Sequence, residues 1–354
     1  MGKHVSYLPE RRVARVACAP WRWQQGTGHD GVAANGLFVP HASQCARVKL
    51  RSNGFGAHFH RIVQATLFAK KLGVRLVPHL LPTLDTIGLQ ERFGERVVSG
   101  HACNASLLSC LFQLPLDSQC QSRSYVDISR HLPRDPTYKH PPAVPNGTTF
   151  HAVASAVAAV LEPTAELQAY LARLLPPSPP PCIAVQLRYG DSCIPGAFRK
   201  DSKVCDNVSS YVNATVRLAE HYQLSHVVIA SDSSRAKRKF AAALPTTLRI
   251  VTPVEDTETL FGDELYASST TIEHVLQRSA SNASAAFESF LLDVYAMAAC
   301  HAFVGKLTSH VARLALELMS ARRGHLVPFI SLDAPWCFGG LGSTPHGRGS
   351  FLCM

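Results

Sequence analysis

Short apolar runs and helical patterns alternate along the second half of the chain, and this alternation restricts the fold more than any other feature. Each run is rich in Val, Ile and Leu, and most are followed by apolar residues at helical spacing. The predicted strands are CIAVQL (182–187), HVVIASD (226–232), LRIVTPV (248–254), AFVGKL (302–307) and HLVPFISL (325–332). Strands that alternate with helices in this way are typical of a doubly wound parallel sheet.

A smaller unit of the same kind comes earlier in the chain. The predicted strands RVKL (47–50) and VRLVPHL (74–80) flank the helical pattern GAHFHRIVQATLFAKKLG (56–73). A β–α–β unit of this length implies parallel strands.

The remaining stretches suggest where the chain divides. Long loops with short helices are expected over 81–148, followed by helical structure over 149–174 that is interrupted by a proline. The segment PPSPPPC (176–182) has the composition of a stiff linker. We therefore predict two Rossmann-like α/β domains, 1–175 and 176–354, that face a cleft in which a ligand binds at the carboxyl ends of strands.

The composition points to a small anionic ligand. The net charge is +10 and the isoelectric point is near 9.2, which favours anionic partners. Only 17% of the residues are charged and no long Lys/Arg run is present, so phosphorylated small molecules are favoured over nucleic acid. No apolar run is long enough to span a bilayer, and the N-terminus lacks the apolar centre of a signal peptide.

Cysteines and sequons nevertheless indicate the Golgi or another lumen of the secretory pathway, with the anchor or signal missing from this sequence. The eleven cysteines form no CxxC or Cys/His array, so no metal site is expected. Cys110/Cys120 and Cys193/Cys205 are spaced as local disulfides, although any one cysteine can instead be a buried thiol. Chance predicts about one N-x-S/T sequon. Five are present, at Asn104, Asn146, Asn207, Asn213 and Asn282.

The stretch RSNGFGAHFH (51–60) places glycines between a predicted strand and a predicted helix. Gly54 and Gly56 let the backbone approach a phosphate, and the helix that follows offers free N–H groups and the positive end of its dipole. Phe55, His58 and His60 follow in the same stretch and are candidate ligand contacts. A tight turn that requires glycine is the alternative, and a lone histidine is more often a packed side chain.

Two predicted strands end in charged residues at one expected edge of the sheet. QLRYGD (186–191) puts Arg188 just beyond a strand, where a guanidinium can hold a phosphate through two hydrogen bonds. Asp191 is either the ion-pair partner that fixes Arg188, which is the simpler interpretation, or a base. IASD brings Asp232 to the end of the next strand, and Ser233 or Ser234 fits as the N-cap of the following helix.

The stretch from 290 to 319 contributes an acid and two hydroxyls. Asp293 lies in an otherwise apolar helix, so its carboxylate must reach solvent or a site. Thr308 and Ser309 cap the next helix directly after a strand, where hydroxyls and free N–H groups suit an anion. Capping alone is the alternative, and the two roles can coexist.

These four stretches, in this order, resemble the core α1,6-fucosyltransferase family and its relative, the rhizobial chitin-oligosaccharide fucosyltransferase. The family has a Gly-x-Gly loop before a helix with histidine, a strand that ends His-Val-Arg-Arg-x-Asp, and a strand that ends Ala-Thr-Asp. Here these read NGFGAHFH, QLRYGD and IASD. The longest signature, Asp…Phe-Val-x-x-x-Ser-Ser-x-Val-x-Arg-x-Ala-x-Glu, is matched by Asp293 and then FVGKLTSHVARLALEL, and it is the most specific.

The resemblance implies a GT-B-like fold, GDP-fucose as donor substrate, inversion at the anomeric carbon and no required metal or other cofactor. It also implies a glycan or glycoprotein acceptor, with the core GlcNAc of an N-glycan as the family's example. Carried over by position, Gly54 and Gly56 would approach the diphosphate, and Arg188 would neutralise it as the bond to fucose breaks. Asp293 would contact the guanine, and Ser309 the diphosphate or ribose.

Departures from the family bear on activity. Gln186 replaces the leading His, Tyr189 replaces the second Arg, and Gly196 stands near the position of the family's proposed base. Asp191, or in second place Asp201, would then deprotonate the acceptor. The alternatives are a non-catalytic relative that binds nucleotide sugar or glycan, a protein O-fucosyltransferase, and a cytosolic nucleotide-binding protein. The sequons and cysteines argue against the last.

Overall fold

The structure is a computed structural model that describes residues 5–7, 45–47, 55–72, 75–76, 111–113, 125–127, 148–175, 179–189, 207–251, 280–333 and 336. Its strands are β1 (Val5–Tyr7), β2 (Cys45–Arg47), β3 (Arg75–Leu76), β4 (Tyr125–Asp127), β5 (Cys182–Leu187), β6 (His226–Ser231), β7 (Arg249–Ile250), β8 (Ala302–Gly305) and β9 (Phe329–Ser331). Its helices are α1 (Phe55–Leu72), α2 (Thr148–Val160), α3 (Ala165–Leu174), α4 (Val208–Tyr222), α5 (Ser234–Ala243), α6 (Ala280–Ala298) and α7 (His310–Arg323).

Within the described residues, the main sheet contains six strands in the order β1-β9-β8-β5-β6-β7. Its neighbouring strands are parallel except for β1, which pairs antiparallel with β9. The chain therefore lays down β5, β6 and β7 in one direction and then crosses back to add β8 and β9 on the other side of β5. This is the strand order of a doubly wound fold, and its switch point lies between β5 and β8.

Helices cover both faces of the main sheet, as the complete burial of β5 requires. Side chains of β5 alternate between the two faces. Ile183, Val185 and Leu187 pack with α4 and α5, whereas Cys182 and Ala184 join a second core that includes α1, α2, α6 and α7. The apolar run that predicted this strand is therefore explained by burial on both sides.

The second sheet has three parallel strands in the order β3-β2-β4 and packs beside α1. Ala46 of β2 lies in the same apolar core as Ala184 of β5. Helices α1 and α7 contact each other directly, and α2 packs against both. The two sheets are thus joined by a shared layer of helices, in which the start of α1 lies against the start of α7.

The predicted α/β fold built on parallel strands is confirmed. Strand β5 has the predicted bounds, and the helical stretch before the linker is broken at Pro163, as expected. Strand β2 begins two residues earlier than predicted. Strand β7 has two residues, and residues 252–254 of its predicted run lie outside the described residues. The division into 1–175 and 176–354 stays a prediction, and β1 was not anticipated as a partner of the last strand.

A disulfide joins Cys182, at the start of β5, to Cys300, just after α6. Cys45 is also disulfide-bonded. Outside the described residues lie the predicted local pairs, Cys110/Cys120 and Cys193/Cys205. Across the ranges that the structure describes, no helix combines the length and apolar character needed to cross a membrane.

Candidate active site

The carboxyl ends of β5, β8 and β6 lie side by side at one edge of the main sheet. In doubly wound folds ligands bind in the crevice at the switch point, which here lies between β5 and β8. Arg188 follows β5, Asp232 follows β6, and Thr308 and Ser309 connect β8 to α7. Since neighbouring strands are about 4.8 Å apart, these residues fall within roughly 10 Å of sheet width. The topology thus gathers three of the four predicted stretches.

Arg188 and Asp232 form an ion pair across the ends of β5 and β6, through Nη1 and Oδ2. The backbone N–H of Tyr189 donates to the other carboxylate oxygen, Oδ1, at 2.9 Å. The two side chains are 25% and 13% exposed, so the pair is sheltered but open to a ligand. The carboxylate partner of Arg188 seen in the structure is therefore Asp232, whereas Asp191 lies outside the described residues.

Serine hydroxyls hold the ends of these two strands together. Ser231 Oγ donates to the Leu187 carbonyl at 2.7 Å and accepts from the Ser233 N–H at 3.1 Å. Ser233 Oγ in turn accepts from the N–H of Ala236 at 3.1 Å, which confirms Ser233 as the N-cap of α5. Arg188 and Asp232 are consequently presented by a backbone with its own hydrogen bonds rather than by a free loop.

Gln186 carries a buried acceptor beside this pair. Gln186 is only 3% exposed, and among the described residues no hydrogen-bond donor reaches its side-chain oxygen, Oε1. By the alternation along β5 its side chain faces the core shared with α1, α6 and α7. A buried amide oxygen without a donor costs free energy, and a ligand N–H or O–H would remove that cost.

The start of α7 offers backbone donors next to the switch point. Ser309 occupies the N-cap position, but its hydroxyl makes no capping hydrogen bond. Thr308 Oγ1 donates to Asp333 Oδ2, and Ser331 Oγ donates to Asp333 Oδ1 at 3.3 Å. Ser309 is therefore the N-cap residue, as predicted, although its hydroxyl does not bond the helix start, whereas Thr308 bonds Asp333 and does not cap the helix. The free N–H groups at the helix start remain suited to an anion.

The glycine stretch contributes a close helix contact. A Cβ on Gly56 would lie 2.9 Å from the Cβ of His310 and 3.0 Å from the N of Val311, so Gly56 lets α1 approach the backbone of α7. The side chain of Phe55 packs on Phe287 of α6, with ring centroids 4.9 Å apart. His58 is buried. Helix packing thus explains Gly56, and its approach to a phosphate stays a prediction.

A cluster that the sequence did not reveal joins α1 to α7. His60 Nε2 lies 2.9 Å from Glu317 Oε2, and Trp336 Nε1 donates to Glu317 Oε1 at 2.8 Å. His310 Nδ1 lies 3.0 Å from His60 Nδ1. Burial lowers the pKa of the His60 ring below its usual value; the Glu317 carboxylate opposes this shift and the Arg313 charge adds to it. Glu317 closes the longest signature, but nothing local in the sequence pairs it with a histidine 257 residues away.

Asp293 is a half-buried acid on α6. Burial raises its pKa to about 6, against a weaker opposing effect of Lys237 on α5. Helix α6 packs along β5 and β6, so Asp293 lies near the strands that carry Arg188 and Asp232. Hydrogen bonds donated by a ligand would favour the ionised form of such an acid, so that it releases its proton when the ligand binds.

The structure therefore brings Gln186, Arg188, Asp232, Thr308 and Ser309 to one edge of the sheet. Phe55 and His58 are engaged in the helix layer, and Asp293 lies beside α5. Gly54 and Asp191 fall outside the described residues. Within the described ranges, no group of three or more His, Cys, Asp or Glu side chains is arranged to hold a metal ion.

Comparison with known proteins adds a distant likeness. No protein-family model matches the chain, and no curated protein does. NodZ α-1,6-fucosyltransferase soaked with GDP-fucose is similar at 14% identity and a TM-score of 0.40, over 78% of this chain and 93% of that one. Fucosyltransferase NodZ from Bradyrhizobium is similar at 15% identity and a TM-score of 0.41, over 82% of this chain and 96% of that one. POFUT1 in complex with GDP-fucose is similar at 12% identity and a TM-score of 0.43, over 82% of this chain and 98% of that one. A likeness this distant assigns no activity.

Proposed function

We propose that this chain is an inverting glycosyltransferase that transfers fucose from GDP-fucose to a glycan or glycoprotein. The observation that carries the proposal is the switch point itself. There a guanidinium fixed by Asp232 stands next to the N-terminus of α7, and three of the four stretches that resemble fucosyltransferases meet at this edge. Topology and motif order support the same place independently.

The chemistry requires positive charge where the diphosphate departs. When the acceptor oxygen attacks the anomeric carbon, the bond between that carbon and the phosphate oxygen breaks and its electron pair stays with GDP. Arg188 and the N–H groups at the start of α7 stabilise this developing charge from fixed positions. Asp232 orients Arg188, because it holds Nη1 while the Tyr189 N–H holds the carboxylate.

Asp293 binds the guanine of GDP-fucose in this proposal. A carboxylate accepts hydrogen bonds from the ring N–H and the amino group of guanine, and such charge-assisted bonds offset the cost of ionising a half-buried acid. Gln186 Oε1 is a further acceptor for a donor hydroxyl of the sugar or ribose. These assignments give Gln186, Arg188 and Asp293 a partner on the donor.

For the acceptor and the compartment we propose the core GlcNAc of an N-glycan and the lumen of the secretory pathway. The acceptor rests on the resemblance alone. The compartment is supported by the Cys182–Cys300 disulfide and by the exposed sequon residues Asn207 and Asn213.

A second candidate is a relative that binds GDP-fucose without transferring it, and the position of Tyr189 favours it. The Tyr189 ring lies 6.2 Å from that of Tyr211 on α4 and packs with the core on that face. It therefore turns away from the face that carries Gln186. Where the family has a second arginine, the backbone N–H of Tyr189 donates to Asp232.

Arg188→Ala tests the proposal. We expect loss of about 100- to 1,000-fold in kcat, as for removal of one fixed donor to a developing charge, with a weaker affinity for GDP. Fucose transfer is followed by mass spectrometry with GDP-fucose and a panel of N-glycans and folded acceptor proteins, and GDP binding by calorimetry. Arg217→Ala, an exposed arginine on α4, is the matched control. Transfer to a folded protein alone favours a protein O-fucosyltransferase. GDP binding without transfer to any acceptor supports the non-catalytic candidate.

A further inference from the structure

A cavity of about 320 Å³ lies at the edge of the main sheet opposite to the candidate active site. Leu175 and Pro179, which precede β5, and Ala299, which precedes β8, form part of its wall. Arg322, in the last turn of α7, forms another part. Because α7 starts at the carboxyl ends of the strands and runs back along the sheet, its last turn lies at their amino ends. The cavity is therefore separate from the proposed site for the donor.

The inner wall of the cavity is aliphatic and aromatic. Leu171 of α3, Val228 of β6, and Tyr295 and Ala296 of α6 are all buried. The hydroxyl of Tyr295 already donates to the carbonyl of Leu161, so it needs no partner from a ligand. Pockets that bind small molecules span about 300–1,000 Å³. This cavity is at the lower limit, so it suits one narrow aliphatic chain rather than a sterol or a lipid with two chains.

A cation without an anionic partner lies at the mouth of the cavity. The guanidinium carbon of Arg322 is 5.1 Å from the centroid of the Tyr295 ring. Across the part of the chain that the structure describes, this guanidinium forms no hydrogen bond and no ion pair, and the charge of Glu162 acts on it from beyond ion-pair distance. Arg322 is exposed, so a ligand can approach it from solvent. Its two parallel N–H donors match the two oxygens of a carboxylate.

The neighbouring arginine is used by the fold itself. Arg323 Nη2 donates to the carbonyls of Ala299 at 2.9 Å and of Cys300 at 3.3 Å, so Arg323 satisfies the end of α6. Arg322 makes no bond of this kind within the described residues, which leaves its donors for another acceptor. The exposed amide of Gln168 lines the same cavity and can also donate to a carboxylate. An apolar cavity with a guanidinium and an amide at its mouth matches an aliphatic chain that ends in a carboxylate.

We propose that this cavity binds a single-chain fatty acid. The chain lies against Leu171, Val228 and Tyr295, and the carboxylate accepts hydrogen bonds from Arg322 and Gln168. Burial of the methylene groups drives binding, whereas the charge-assisted hydrogen bonds to Arg322 select an anion over a neutral lipid. Fatty-acid binding at this site is independent of fucose transfer, because the cavity lies at the other edge of the sheet.

Calorimetry with decanoate, below the concentration at which it forms micelles, tests the site. Decanol keeps only the chain and butyrate keeps only the carboxylate with a short stem. We expect the wild type to bind decanoate at least about 10-fold more tightly than decanol, the usual contribution of a hydrogen bond to a charged group, and to bind butyrate far more weakly. Arg322→Met keeps an apolar side chain and should lose the preference for decanoate over decanol. Arg217→Ala, an exposed arginine on α4, should bind decanoate like the wild type.

Ala299→Leu locates the binding, because a larger side chain at this half-buried position fills part of the cavity. It should weaken decanoate binding, while circular dichroism shows that the fold is kept. In methyl-labelled wild type, decanoate should shift the signals of Val228 and Val251, which both line the cavity. Equal affinity of the wild type and Arg322→Met for decanoate would overturn the proposal, as would binding that leaves both valine signals unchanged. So would a wild type that binds no decanoate, since the cavity would then be closed to ligands.

Discussion

At the scale of single residues, the clearest prediction concerns Asp293. Its carboxyl has a pKa of about 6 in the folded chain and 3.8 as its ordinary value. Between these values the folded state holds a proton that the unfolded state has released, so the free energy of unfolding falls as pH rises from about 4 to 6. Above that window the charge costs about 3 kcal/mol. Asp293→Asn should therefore stabilise the chain at pH 7.5 but hardly at pH 4, as measured by urea unfolding. An equal difference at both pH values contradicts this.

The same variant separates stability from function. If Asp293 receives guanine, Asp293→Asn should weaken GDP binding by about 10- to 100-fold, the range for a hydrogen bond to a charged group. It should also remove a preference of the wild type for GDP over inosine diphosphate, which lacks the amino group. Calorimetry with both nucleotides checks this, and a variant that is more stable yet binds GDP equally well would exclude Asp293 from the donor site.

Single residues were predicted better than their partners. Arg188 and Asp232 could be identified from strands that end in charge, because strand ends are visible in an apolar pattern. The ion pair between them could not be predicted from the sequence, since it depends on β5 and β6 being neighbours in the sheet. His60 and Glu317 illustrate the limit, because only the packing of α1 on α7 brings them together.

At the scale of elements, the contact between α1 and α7 decides whether the site is assembled. Ala normally stabilises a helix by about 1 kcal/mol relative to Gly, yet at position 56 a Cβ would meet the backbone of Val311 at 3.0 Å. We expect Gly56→Ala to lower the free energy of unfolding by about 1–3 kcal/mol through overpacking, and to lower kcat because the start of α7, beside the proposed diphosphate site, is displaced. Thermal unfolding of the variant and the wild type shows whether the substitution stabilises or destabilises the chain. A more stable Gly56→Ala protein would mean that the glycine serves only a turn.

At the scale of the whole molecule, the order of the strands determines where the candidate site lies, whereas the individual strands can be predicted from local runs of apolar residues. The sequence predicted β5 residue by residue, because a strand buried on both faces is an unbroken apolar run. It did not predict β1, a three-residue strand whose partner is the last strand of the chain. The order of strands, and hence the switch point, follows from such distant pairings and from the crossover of the chain after β7.

The compartment is also a property of the whole molecule, because the Cys182–Cys300 disulfide closes a loop across the main sheet, with a sequence separation of 118 residues. Both cysteines are fully buried. Because disulfides persist mainly in oxidising compartments, the proposed secretory lumen predicts that this bond is present in the cell. Non-reducing peptide mapping of protein from its own cells should recover the linked peptides. Replacing both cysteines with valine should reduce the free energy of unfolding by about 2–4 kcal/mol, and Asn213→Gln should remove one glycan from the exposed face of α4. Free thiols at both positions, together with an unmodified Asn213, would place the chain in the cytosol and favour the nucleotide-binding alternative.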